Sequence, residues 1–123
     1  MKKITVFADG VAREKSGPAT IEVRILEGEE GEMAEFSESI GNAVSSYAGY
    51  YAVLRALQFL TERFGEDTAT NQYELKLKDE AIVKQLNAES PITEPSLVPL
   101  FIEIHNMRVT SFPKLTLLHV QKV

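Results

Sequence analysis

Residues 34–64 read AEFSESIGNAVSSYAGYYAVLRALQFLTERF, and within this one stretch the spacing of the apolar side chains changes. Ala34, Phe36 and Ile40 stand at even spacing against Glu35, Ser37 and Ser39, the period of two that marks a strand with one covered face. After Gly41-Asn42 the pattern becomes helical: Val44, Tyr47, Ala48, Tyr51, Leu54 and Leu57 recur at three- and four-residue intervals. Gly65 is the residue type that stops such a helix, and Arg63 suits the negative end of its dipole. Between Tyr47 and Leu60 only Gly49, Arg55 and Gln58 interrupt the apolar run. A helix so apolar is predicted to lie across a sheet, with Tyr47, Tyr50 and Tyr51 in the packing rather than displayed for base stacking.

Upstream, Lys3 to Ala8 is short, apolar and β-branched, and Asp9-Gly10 is a turn signal that ends it as a buried strand. Residues 11–18 are polar and contain Gly17-Pro18, so they read as a loop. Ile21, Val23 and Ile25 then alternate with Glu22 and Arg24, and Glu27 to Gly31 turns the chain into the strand at Ala34. Three consecutive strands of this kind predict an antiparallel meander. Downstream, Tyr73, Leu75 and Leu77 alternate with Glu74 and Lys76, giving a fourth strand over Gln72–Leu77. Lys78-Asp79-Glu80 opens a short helix reaching Leu86, with Asp79 as its cap. Pro91, Pro95 and Pro99 punctuate a connector, a third helix runs from about Ser96 past Met107, and Phe112-Pro113 breaks it before a last strand from Leu115 to Val120. The order βββαβααβ predicts an α/β fold whose five-stranded mixed sheet joins an antiparallel meander to parallel crossovers.

At 123 residues with 44% hydrophobic and 25% charged side chains, the chain is expected to form a single domain over residues 1–123 and not a disordered segment. It has no cysteine, which excludes disulfides and thiolate metal sites. The apolar stretch before Asp9 is too short for a signal peptide, and nothing approaches the ~20 apolar residues of a membrane helix. No membrane association and a cytoplasmic location are therefore expected. A net charge of −5 opposes non-specific attraction to polyanions, so nucleic-acid binding requires a local patch drawn from Lys2, Lys3, Arg13, Lys15, Lys76 and Lys78. His105 and His119 stand alone without metal-ligand spacing, and neither a nucleophile elbow nor a phosphate-binding glycine loop occurs.

Four segments together resemble the ribonuclease H family of bacterial and archaeal type, along nearly the whole chain. Asp9-Gly10, followed by Lys15-Ser16-Gly17-Pro18-Ala19-Thr20-Ile21, is similar to the family's first strand and its Asn-Pro-Gly-x-Ala-Gly loop. Val44-Ser45-Ser46-Tyr47-Ala48-Gly49-Tyr50-Tyr51-Ala52-Val53 resembles the family's Thr-Asn-Asn-x-Ala-Glu-Tyr-x-Ala-Leu helix, with Gly49 where the glutamate stands. Lys78-Asp79-Glu80-Ala81-Ile82-Val83-Lys84-Gln85-Leu86 fits Asp-Ser-x-Leu-Val-x-x-Gln-Leu without a gap, with Lys78 at the aspartate. His119-Val120-Gln121 looks like the His-Val-Pro that precedes the final helix, and the end at Val123 implies that this helix and its aspartate are absent.

The resemblance implies a ribonuclease H-like fold and, in active members, two Mg²⁺ ions about 4 Å apart held by four carboxylates. This sequence matches the pattern only at Asp9, expected at the end of the first strand. Gly49 supplies no ligand, a loss that close approach of the helix backbone to the sheet would explain. Lys78 is expected to pair with Asp9, its ammonium replacing the metal. The reading is a catalytically inactive ribonuclease H-like protein that acts by binding nucleic acid or by assembly, with no cofactor. Arg13, Lys15, Ser45 and Ser46 are its candidate nucleic-acid contacts. The first alternative is an active RNA/DNA-hybrid endonuclease using Mg²⁺ or Mn²⁺ with displaced ligands, Asp79 or Glu80. The second is a homo-oligomer without a nucleic-acid role, formed through apolar sheet surface that the missing helix leaves open.

Overall fold

A computed structural model of the chain describes residues 2–13, 16–28 and 31–121. The element order is β1 (Lys3–Ala12), β2 (Ser16–Glu27), β3 (Glu32–Val44), α1 (Ser45–Phe64), β4 (Gln72–Leu77), α2 (Glu80–Leu86), α3 (Val98–Ser111) and β5 (Leu115–His119), with single 3₁₀ turns at Gly65–Ala69 and Pro95–Leu97. The five strands form one sheet in the order β3-β2-β1-β4-β5. β1 pairs antiparallel with β2 and β2 with β3, whereas β4 lies parallel to β1 and to β5. Both the antiparallel meander and the parallel crossovers follow the predicted pattern.

One face of the sheet is the core. Ile4, Val6 and Ala8 of β1, Ile21, Val23 and Ile25 of β2, Leu75 and Leu77 of β4 and Leu117 of β5 are buried against α1, which contributes Tyr50, Val53, Leu57 and Leu60, with Ile104 of α3 behind it. Alternation then sends Thr5, Phe7, Glu22, Arg24 and Lys76 to the other face. The apolar run of α1 is explained by this position, since the helix touches sheet, α2 and α3 together. Gly65, at φ 52°, terminates α1 as expected.

Three glycine signals read as turns or loop instead sit within strands, Gly17-Pro18 lying in β2 opposite Ala43 and Asn42 of β3. β1 does not end at Asp9-Gly10; it continues to Ala12, with Asp9 opposite Glu22 and Gly10 opposite Ile21 on β2. The contact with β4 does stop at Ala8, so Asp9 is the first residue of β1 beyond the parallel ladder. Gly10 is required because a Cβ there would overlap the backbone of Ala48 and Gly49 in α1. Gly41-Asn42 likewise does not end the meander, because β3 runs on to Val44. The pairing shifts between Ala19 opposite Gly41 and Thr20 opposite Ser39, and Gly41 adopts φ 80° at this bulge.

Candidate functional site

The residues singled out by sequence gather at one corner of the sheet, where β1 leaves β4 and where α1 and α2 pass. Gly10 touches the Ala48–Gly49 backbone, so Asp9 is one residue from the point where strand and helix meet. Lys78 follows Leu77, whose partners across the ladders are Ala8 and His119. α2 begins two residues later and rests on α1 through a 2.6 Å hydrogen bond from the Tyr50 hydroxyl to Gln85 Oε1. Burial, reinforced by the negative charges of Asp79 and Glu94, pushes the Tyr50 phenol up to about 12.

Gly49 is buried on α1. A Cβ built on it would overlap Ile82 Cδ1 of α2. The space in which a side chain at this position would begin is thus filled by an isoleucine methyl. The expectation that Gly49 permits close approach to the sheet is corrected: Gly10 makes that approach, and Gly49 admits α2.

Asp9 is half-buried, and its carboxyl lies above the usual aspartate value. Burial is the main cause; the Lys78 ammonium opposes it, Glu22 opposite on β2 adds to it, the Gly10 amide opposes it and Asp79 adds again. The expected ion pair is not formed, because among the described residues none within 4.0 Å joins Asp9 to Lys78. The ammonium acts on Asp9 through space while remaining exposed to water.

The displaced-ligand candidates are otherwise engaged. Asp79 caps α2 as predicted, its Oδ1 accepting from the backbone amides of Ala81 at 3.0 Å and Ile82 at 3.3 Å. Glu80 lies 3.9 Å from His119 Nδ1 and 4.0 Å from Lys84 Nζ. Among the described residues no three acidic or histidine side chains come together as a metal site would need. Two-metal chemistry depends on a ring of anionic oxygens, and this corner offers Asp9 and its cross-strand neighbour Glu22 beside an ammonium. The Mg²⁺ or Mn²⁺ implied by the resemblance does not fit this donor set.

Of the candidate nucleic-acid contacts, Ser45 and Arg13 are exposed, and the Ser46 hydroxyl donates to the Glu94 carboxylate at 3.0 Å. Lys15 lies outside the described residues. The cations do not form a single patch. Lys2 pairs with Glu27 at 2.9 Å and Lys3 with Glu74 at 3.7 Å at one end of the sheet, while Lys78 and Arg13 lie towards the other. Nor is the outer sheet face the apolar surface expected for self-association. Phe7 there is flanked by Arg24 at 5.7 Å and Lys76 at 5.5 Å, and a groove of about 580 Å³ beside it is lined by Glu22, Arg24, Glu35 and Ser37 as well as Phe36. The signals missed by sequence reading are tertiary: Ile82 over Gly49, Gln85 under Tyr50, and Glu22 beside Asp9. No described helix is long and apolar enough to cross a membrane.

A five-stranded mixed sheet in this order, with α1 laid across the antiparallel–parallel junction and an aspartate where β1 leaves β4, defines a ribonuclease H-like protein. No family model matches the chain. The ribonuclease HI of Halobacterium salinarum is 27% identical over 120 residues, 98% of this chain but 57% of that protein, so the chain spans little more than half of that relative's length. The crystal structure of the ribonuclease H1 from the same archaeon superposes with a TM-score of 0.85, covering 98% of this chain and 86% of that one. LC11-RNase H1, crystallised in complex with an RNA/DNA hybrid, is 31% identical with a TM-score of 0.91, covering 97% of this chain and 86% of its own. The structure of that protein as isolated from compost by a metagenomic approach gives 32% and 0.92. The chain belongs to the ribonuclease HI-like family.

Proposed function

We propose that this chain binds RNA/DNA hybrid and does not cut it. The observation that carries this reading is the setting of two residues at the corner of the sheet: an isoleucine methyl fills the space over Gly49, and the Lys78 ammonium, beyond ion-pair distance, acts on Asp9 through space. Each acts against a divalent cation, the first by removing a ligand and its room, the second by like-charge repulsion. The choice of ligand rests on kinship, because LC11-RNase H1, at 31% identity, has been crystallised with an RNA/DNA hybrid. No cofactor is needed for such binding. The test is to incubate the chain with a labelled RNA/DNA hybrid and with DNA duplex of the same sequence, then measure retention and strand integrity. Preferential retention of uncut hybrid supports the reading, and equal or absent retention refutes it.

A second reading, a metal-dependent hybrid endonuclease, is favoured by the ribonuclease H1 relatives themselves. It requires Asp79 or Glu80 to leave the α2 amides or the His119 and Lys84 side chains. Cleavage that needs Mg²⁺ or Mn²⁺ and disappears in Asp9→Asn would establish it.

A further inference from the structure

We propose that Lys78 is the phosphate-binding group of this corner, its ammonium taking a backbone phosphodiester of the bound nucleic acid without a divalent cation. The proposal rests on the hybrid-binding reading and names the residue and the chemistry that carry it.

The position is fixed by the ladder. Leu77, buried, is held between Ala8 of β1 and His119 of β5, so the next residue leaves the sheet at a defined place. Lys78 is exposed and enters no ion pair among the described residues. The acids that could neutralise it are committed elsewhere or too far. The Asp79 carboxylate accepts from two α2 amides, and Glu80 faces His119 and Lys84. Asp9 is not within ion-pair distance. An ammonium offers three donors and no acceptor, and here all three are open to an incoming anion. Lys2 and Lys3, by contrast, are spent on Glu27 and Glu74. In a chain of net charge −5, a cation outside any ion pair among the described residues, on backbone fixed by the sheet, gives a phosphate a local position without general attraction. The same ammonium that makes the corner unfit for a metal thus supplies positive charge to the nucleic acid.

The test is fluorescence anisotropy of the whole chain on a labelled RNA/DNA hybrid over a series of salt concentrations, in EDTA and in MgCl₂. Wild type is expected to bind equally in both. Lys78→Ala should bind roughly eightfold more weakly near 0.1 M salt, with a salt slope shallower by about 0.9, the signature of one lost phosphate contact. Lys78→Arg should keep both. Circular dichroism of the variants checks the fold, although an exposed side chain is not expected to affect it. If Lys78→Ala binds with wild-type affinity and slope, or if wild type binds only with Mg²⁺, the proposal is overturned while hybrid binding stands. If wild type binds no hybrid, the underlying reading falls and takes the proposal with it.

Discussion

Replacing Gly49 by alanine sets two effects against each other. Alanine in a helix interior is worth about 1 kcal/mol over glycine. The new methyl, however, enters the space of Ile82 Cδ1, and Ile82 is only 2% exposed, so it must shift within packed surroundings. Overpacking of this kind costs about 1–3 kcal/mol. Because the atom that must shift is the far end of a side chain, the low end of that range applies, and Gly49→Ala alone is expected to gain little or nothing from its better helix propensity. Ile82→Val removes the overlapping methyl and by itself costs about 0.5–1.5 kcal/mol. In the double variant the alanine methyl occupies the vacated space, so the propensity gain survives and most of the cavity closes. That variant should lie near wild type, a favourable coupling of about 1 kcal/mol, within the range known for residues in contact. Urea unfolding of the four proteins, followed by circular dichroism with m-values compared, measures the cycle. Additivity within about 0.5 kcal/mol would refute the claim that Ile82 fills the space over Gly49.

Three further outcomes follow from the same corner. Tyr50→Phe removes the 2.6 Å bond to Gln85 and should cost about 1 kcal/mol in urea unfolding. In wild type, the stability that this phenol contributes is present below its ordinary value of 10.0 and fades as pH rises towards about 12, because only the neutral form suits the site. Asp79→Ala removes both cap bonds of α2 and should cost about 1 kcal/mol, with Asp79→Asn retaining most of it. Asp9→Asn should stabilise the chain at neutral pH. The carboxyl lies above its ordinary value of 3.8, so the wild type loses stability as pH rises from 3.8 through the folded value. Thermal melts should show the two proteins converging in acid; a destabilised Asp9→Asn at neutral pH would contradict this sign.

The change of apolar period between Ala34 and Phe64 was enough to read the order of strands and helices, because alternation and helical spacing report directly which face is covered. β4 and the Asp79 cap were equally legible, being local. Asp9-Gly10 and Gly41-Asn42 were not: both look like turns by local chemistry, and only the packing of β1 on α1 and the bulge of β3 on β2 show why a glycine stands there. For the site, the family resemblance drew attention to Asp9, Gly49 and Lys78, and the fold brings their positions to one corner of the sheet. Their surroundings could not be read, since Ile82 reaches Gly49 across a separation of 33 positions and Glu22 reaches Asp9 through strand register. The anticipated Asp9–Lys78 pair failed for a related reason. Neighbouring positions on parallel strands bring charges near, but whether two side chains meet depends on burial and on where each finds water.

The measurement that bears most directly on the central claim is hybrid cleavage in Mg²⁺ and in Mn²⁺ by the purified chain and by Asp9→Asn, with protein in excess of hybrid. On the proposed reading both proteins should leave the hybrid intact, with any trace cutting equal in the two and indifferent to EDTA. Metal-dependent cutting by the wild type that vanishes in Asp9→Asn would mean that this corner still assembles a working metal centre.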